Sequence, residues 1–251
     1  GNIDLTEGQN VTDLLDIVKY EPIIPTQLQG VCRGNFPSFL RKTDEPRIQF
    51  NPELLEQMQS VPCYVAEKLD GSSFTSVYKD QELHVCSRNM DLKEEVDKIF
   101  NDTDAKSVKN AFWQVAYNLN LKEKLAPYDG KYAFQGELIG PSVQKNKYSL
   151  QELDVKFFQV YDYSKGEYLD YYDFVELIEG LGLKTVPILM TNYILPSSVN
   201  EIVELSRGKS RLANIHREGI VIRPMVENDG NQYADRRSFK CVNPDFLLKF
   251  E

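Results

Sequence analysis

The chain has 251 residues, of which 41% are hydrophobic and 27% charged, with a net charge of −9. That length supports a sizeable core in one large domain or two small ones, and the acidic balance argues against a general nucleic-acid coat protein. No apolar run approaches the ~20 residues that a membrane span needs, and the polar, acidic first twenty residues lack the pattern of a signal peptide. Cys32, Cys63, Cys86 and Cys241 are scattered, with no Cys-x-x-Cys pair and only His84 and His216 beside them. This disfavours structural zinc and suits a reducing, intracellular compartment, cytoplasm or nucleus alike.

Residues 1–30 read as a lead-in. "NVTDLLDIVKY" has the pattern of a short amphipathic helix or the tail of an upstream module, and "EPIIPTQ" carries two linker prolines. In "NPELLEQMQ", Asn51 is the expected helix cap and Pro52 the first helical position. Two strands, "SFTSVYK" and "LHVCSR", flank the turn "KDQE". Val108, Phe112, Val115, Ala116 and Leu119 give a helix over 104–125. "YAFQGELIG" is a strand closed by glycine, and "KFFQVYDY-SKGE-YLD" a hairpin. "YYDFVELIEGLG" is a helix, "TVPILMT" a strand, and "SSVNEIVELSRG" a helix with a capping box from Ser198 to Glu201. "EGIVIRPM" and "RSFKCVN" are strands, and "PDFLLKF" a last helix. Strands and helices mix without a βαβ rhythm, so the expected class is α+β with mostly antiparallel sheets flanked by helices.

"YVAEKLDGSSF" is the unusual stretch. It is apolar enough for a buried strand, yet it holds Glu67, Lys68 and Asp70. A lysine is a poor nucleophile at neutral pH because its ordinary pKa lies near ~10.4. Burial and nearby positive charge lower that value and free the lone pair for attack, for instance on phosphorus. Asp70, two residues on, is expected on the same strand face, where it could hold a metal ion through water. Gly71 lets the backbone bend close to a ligand. A lone Lys-x-Asp-Gly is equally a surface lysine paired with Glu67 or Asp70.

The match is not alone. Lys68-Leu69-Asp70-Gly71-Ser72 resembles motif I of the covalent nucleotidyltransferases, the superfamily of ATP-dependent DNA ligases, RNA ligases and mRNA capping enzymes. "SRN" at 87–89, with Arg88, resembles motif Ia, and "FQGELIGPSVQKN" at 134–146, with Glu137, motif III. "FFQVYDY" at 157–163, with Tyr161, resembles motif IIIa, "EGIVIRP" with Glu218 motif IV, and "SFKCVN" with Lys240 motif V. The order is that of the superfamily. "GELIGPSVQKN" is similar to the branch that seals RNA 3′-OH to 5′-phosphate ends. "FPSFLRKTDEPRIQ" at 36–49 and "VTDLLDIVKYEP" resemble the segments that follow an N-terminal OB module in the family-five RNA ligases. The resemblance thus implies a lead-in over 1–30 from such a module, and an ATP-grasp-like nucleotidyltransferase domain over 31–251. The start at Gly1 rather than Met agrees with that expectation.

The resemblance also implies roles. Lys68 attacks the α-phosphate of ATP to give lysyl–AMP, AMP passes to an RNA 5′-phosphate, and a 3′-OH then seals the strand. Tyr161 stacks on adenine, with Phe157 or Phe158 as substitutes from the same strand. Glu137 holds the ribose, and Glu67 either receives the adenine amino group or lies on the surface. Asp70 and Glu218 position hydrated Mg2+ or Mn2+. Lys240 contacts the α-phosphate, and Arg88 a phosphate of ATP or RNA. Gly71 sits beside the nucleotide, and Arg223 and Gln144 are further candidates for the groove.

Motif V departs from the pattern. Related ligases often carry two lysines one residue apart, whereas the positions around Lys240 are Ser238 and Val242. Arg236 or Arg237 is the expected replacement. No motif VI or C-terminal OB domain follows Lys240, which disfavours the alternatives of a DNA ligase or a capping-type core. A non-catalytic RNA-binding domain of the same fold remains the alternative from another class.

Overall fold

The computed structural model describes residues 30–94, 110–227 and 236–250. The lead-in at 1–29 and the first part of the helix expected over 104–125 lie outside the described residues.

Two antiparallel-dominated sheets organise the chain. The large one has eight strands, and seven of them run in the order β1 (Cys32–Asn35), β5 (Met90–Leu92), β4 (Glu82–Cys86), β3 (Ser72–Lys79), β6 (Tyr132–Ile139), β7 (Asp154–Asp162), β8 (Glu167–Tyr168). The eighth, β9 (Lys184–Thr185), pairs with β7 in parallel. The small sheet runs β10 (Ile188–Tyr193), β2 (Cys63–Lys68), β11 (Gly219–Pro224), β12 (Phe239–Val242). The expected α+β class is the observed one.

Local chemistry explains most elements. The β3–β4 hairpin turns at Asp80 and Gln81, both at positive φ, as a tight hairpin turn of right-handed twist requires. The expected single strand "TVPILMT" is split at Pro187, which lacks a ladder donor. Its first half joins the large sheet and its second half the small one, and the Pro187 carbonyl accepts the Glu67 N–H at 2.9 Å. Asn51 does not cap α1 (Glu53–Gln57); its side chain donates to the Arg47 carbonyl, and Pro52 takes the cap position. Ser198 caps α5 (Val199–Ser206) through the Asn200 amide rather than through the expected Glu201.

Apolar layers hold these elements. Phe74, Phe134, Val155, Phe157 and Val160 on the large sheet pack on α2 (Ala111–Asn118), α3 (Leu121–Leu125) and α4 (Tyr171–Gly180). Val65, Ile220, Ile222 and Phe239 on the small sheet pack on α1 and α5. Tyr64, Ala66, Ile139, Tyr148, Val186 and Met225 fill the junction between the sheets. The chain closes with α6 (Pro244–Phe250). All four cysteines are free and buried. Among the described residues, no helix is long and apolar enough to cross a membrane.

Candidate active site

A cavity of about 510 Å3 opens where the two sheets meet. Lys68 at the end of β2, Asp70 and Gly71 in the following turn, Glu137 on β6, Glu218 just before β11, and Lys240 on β12 all line it. Arg88, Glu67, Gln144 and Arg223 line it as well. Residues far apart in sequence thus converge because β2 is central in the small sheet and hands the chain directly to β3 in the large one.

Lys68 is at the centre. Its Nζ donates to both Glu218 carboxylate oxygens, at 2.6 and 2.7 Å. β2 ends at Lys68, so Asp70 belongs to the turn and not to the strand face expected for it. The Tyr148 hydroxyl accepts the Asp70 N–H at 2.7 Å, and Lys147 pairs with the Asp70 carboxylate. Gly71 donates its N–H to Glu137 Oε1 at 3.1 Å. A Cβ at Gly71 would lie 2.3 Å from the Leu138 carbonyl oxygen, so this position admits glycine alone.

The carboxylates crowd one another. Burial first, then Glu218 and Asp70, push Glu137 up to about 7, while Lys68 and the Gly71 amide oppose the shift. Burial likewise raises Glu218 against the opposing pull of Lys68. Lys240 is pushed down by burial and by the ammonium of Lys68. A carboxyl raised above its ordinary 4.5 holds a proton in the folded state that the unfolded chain has released. On account of Glu137, stability therefore falls as pH rises from 4.5 to about 7. Glu137→Gln should flatten that part of the slope, measured by urea unfolding at both ends of the window; an unchanged slope would refute the assignment.

The aromatic expectation is corrected. Tyr161 does not line the cavity. It is buried with Leu40, Val77 and Ala133, with its ring centroid 5.1 Å from that of Tyr168. Phe157 is fully buried in the large-sheet core. Phe158 lines the cavity. Gln135 opposes Gln159 and Gly136 opposes Phe157, so Phe158 is the extra residue of a β-bulge, a device that re-aims a side chain. Strand alternation read from sequence cannot register such an insertion.

Other positions resolve open readings. Glu67 is not a surface residue: it is 1% exposed, its Oε2 accepts the Arg211 N–H at 2.8 Å, and its Oε1 is buried without a hydrogen-bond partner. Arg88 sits at the cavity mouth, exposed and paired with Asp44 at 2.7 Å. Neither Arg236 nor Arg237 supplies the second cation expected near Lys240. Arg236 turns away to Glu227 and Gln159, Arg237 is buried, and neither lines the cavity. Lys147 and Tyr148, which grip the motif I turn, were not singled out by sequence. Their signal was the run of polar residues after Gly140, where Gln144, Lys145 and Asn146 all take positive φ.

The RNA ligase family model matches residues 61–242, which span Lys68, Asp70, Glu137, Glu218 and Lys240. The chain belongs to the RNA ligase family. No match was found among the curated proteins. Among solved structures, the chain is similar to the Naegleria gruberi RNA ligase with pyrophosphate, at 34% identity and TM-score 0.75, over 96% of this chain and 67% of that one. A lysine-to-alanine variant of that RNA ligase with ATP and Mn matches at 34% identity and TM-score 0.75, over 97% and 67%. A lysine-to-methionine variant with AMP and Mn matches at 34% and 0.75, over 96% and 67%. The mixed fold with antiparallel sheets is that of these RNA ligases.

Proposed function

We propose that this chain is the catalytic domain of an ATP-dependent RNA ligase in which Lys68 becomes covalently linked to AMP. The observation that carries the reading is the position of Lys68 Nζ: on both oxygens of Glu218, in a cavity shared with Glu137, Lys240 and Arg88. The Naegleria ligase binds ATP, AMP and Mn in its solved forms, which supports the same ligands here.

The donor set fits a hard divalent cation such as Mg2+ or Mn2+. Asp70 and Glu218 offer carboxylate oxygens, and no cluster of three His, Cys, Asp or Glu is found among the described residues. Two carboxylates completed by water and substrate phosphates is the usual arrangement for Mg2+. Bound there, the cation supplies positive charge against the phosphates.

The chain's own residues do the rest. The Lys68 ammonium gives up a proton, and the Glu218 oxygens are the nearest acceptors. The amine attacks the α-phosphorus, a P–N bond forms, and pyrophosphate leaves. Lys240 stabilises the charge that develops on the α-phosphate oxygens. Glu137 receives the ribose hydroxyls. Phe158 stacks on adenine against Val221, and Glu67 Oε1 is a buried acceptor offered to the exocyclic amine. Arg88, at the mouth, takes a phosphate of ATP or of the incoming RNA end in place of Asp44. AMP then passes to the RNA 5′-phosphate, and the 3′-OH displaces it. Positioning and electrostatics carry all three steps. The reading extends to an N-terminal OB module in the full-length protein, on the likeness of 11–22 and 36–49 to segments that follow one.

The direct test is intact mass after incubation with ATP and Mg2+ or Mn2+, beside a GTP control. A gain of one AMP with ATP alone supports the reading; no gain with either nucleotide would sink it. The aromatic assignment has its own test. Phe158→Ala should raise the KM for ATP by roughly tenfold or more. Tyr161→Ala should instead cost about 3–5 kcal/mol of stability, as a truncated buried aromatic does. If Tyr161→Ala weakened ATP binding while Phe158→Ala did not, the correction made above would be reversed.

A further inference from the structure

The segment ahead of motif I does not merely lead into the domain. Residues 42–47 form a strap that ties the two sheets together across the cavity wall. On the large-sheet side, Thr43 Oγ and Ser73 Oγ are 2.9 Å apart and Lys42 donates to Asn89 at 2.9 Å. On the small-sheet side, the Pro46 carbonyl accepts the Lys240 N–H at 2.9 Å, and Arg47 bridges to Lys240 in parallel. The strap thus lies along the free edge of β12 as an added piece of strand.

The side chain of Glu45 is the strap's link to the cavity, and it is 9% exposed. Its Oε1 accepts from Arg223 Nε at 3.1 Å and lies 3.0 Å from Arg223 Nη2. Arg236 Nη1 lies 3.5 Å away, and Ser238 Oγ donates to Oε2. Arg223 is itself 2% exposed, with its guanidinium carbon 5.3 Å from the Phe158 ring centroid. Glu45, Arg223 and Phe158 line the same cavity.

We propose that Glu45 is a positioning residue for the nucleobase: it pins Arg223 against Phe158, so that the guanidinium sets the ring on which the base stacks. The strap is then a working part of the nucleotide site. Glu45 supplies no proton and touches no reacting atom; it sets the direction of Arg223 and compensates its charge. Arg223 in turn closes one side of the base slot, and its cation–π contact fixes the tilt of Phe158. This rests on the reading that adenine lies against Phe158.

The test compares wild type, Glu45→Gln, Arg223→Met and the double variant. The KM for ATP and the saturated single-turnover rate of AMP transfer to Lys68 are read by intact mass. Binding of inorganic tripolyphosphate, which has no base, is read by calorimetry. Glu45→Gln should raise the KM for ATP about tenfold while the saturated rate falls far less. Tripolyphosphate binding should stay within about twofold, a split that a general loss of structure would not give. In the Arg223→Met background, Glu45→Gln should add little, because Glu45 acts through Arg223. Additive effects, or equal losses for ATP and tripolyphosphate, would overturn the proposal. Where the isolated charge left by Glu45→Gln prevents folding, Arg223→Met and the double variant decide it: an unchanged KM in both refutes the role. Absence of the AMP adduct in wild type would be a different failure, that of the ligase reading itself.

Discussion

Lys68→Ala should leave no protein–AMP adduct at any ATP concentration, whereas the wild-type chain should gain one AMP. Atoms decide this outcome rather than affinity. The phosphoramidate needs a nitrogen with a lone pair at the α-phosphorus, and among the described residues no other lysine has its Nζ on the Glu218 carboxylate. Lys240 lines the same cavity, but it sits two strands away from β2 with β11 between them. Lys68→Arg sharpens the test. An arginine keeps a positive charge near Glu218, yet a guanidinium has no free lone pair near neutral pH. It should restore much of the stability lost in Lys68→Ala and none of the adduct. Removing one partner of a partly buried pair leaves Glu218 uncompensated, so Lys68→Ala should also melt at lower temperature. The two variants therefore separate the structural part of Lys68 from its chemical part. An adduct of normal yield in either would remove Lys68 as nucleophile and direct attention to Lys240.

Much of this site was legible in the sequence because motif order survives folding. Lys68, Asp70, Gly71, Arg88, Glu137, Glu218 and Lys240 were each named from local strings, and all line one cavity. What remained hidden has physical causes. The bulge at Phe158 inserts a single residue, and a period of two cannot be counted through it. The split at Pro187 sends one apolar run to two sheets, a choice made by tertiary pairing and not by propensity. Glu45 reads as an ordinary charge in "KTDEPR"; its partners Arg223 and Ser238 lie far along the chain. Arg236 looked like a spare phosphate ligand by spacing, but Glu227 and Gln159 claim it. Local strings report chemistry well where the residue acts from a strand end, and poorly where its partner is set by a distant edge.

Glu218→Gln tests the other half of the centre, and its effect should be nearly as large. In the proposed reaction Glu218 has two duties that use the same two oxygens. It holds the Lys68 ammonium at 2.6 and 2.7 Å, and with Asp70 in the same cavity it would hold the divalent cation. A cation at Glu218 would weaken its hold on the ammonium and so link cation binding to release of Lys68 for attack. Burial already raises the Glu218 pKa, so the carboxylate is a ready proton acceptor when Lys68 lets go. Gln preserves the shape and one oxygen but removes the charge, and with it both duties. We expect the rate of AMP transfer to Lys68 to fall about 10³-fold, the scale of losing one strong electrostatic group at a reacting centre. The Mn2+ concentration needed for half-maximal rate should rise as well. Asp70→Asn should show the same cation effect with a smaller loss of rate, because Lys147, not Lys68, is the partner of Asp70. If Glu218→Gln kept its rate within tenfold and its Mn2+ requirement unchanged, the ion pair with Lys68 would be a resting contact with no part in the chemistry. If the rate fell and the Mn2+ requirement did not move, Glu218 would be the proton acceptor alone, and the cation would have to be held by Asp70 and the phosphates.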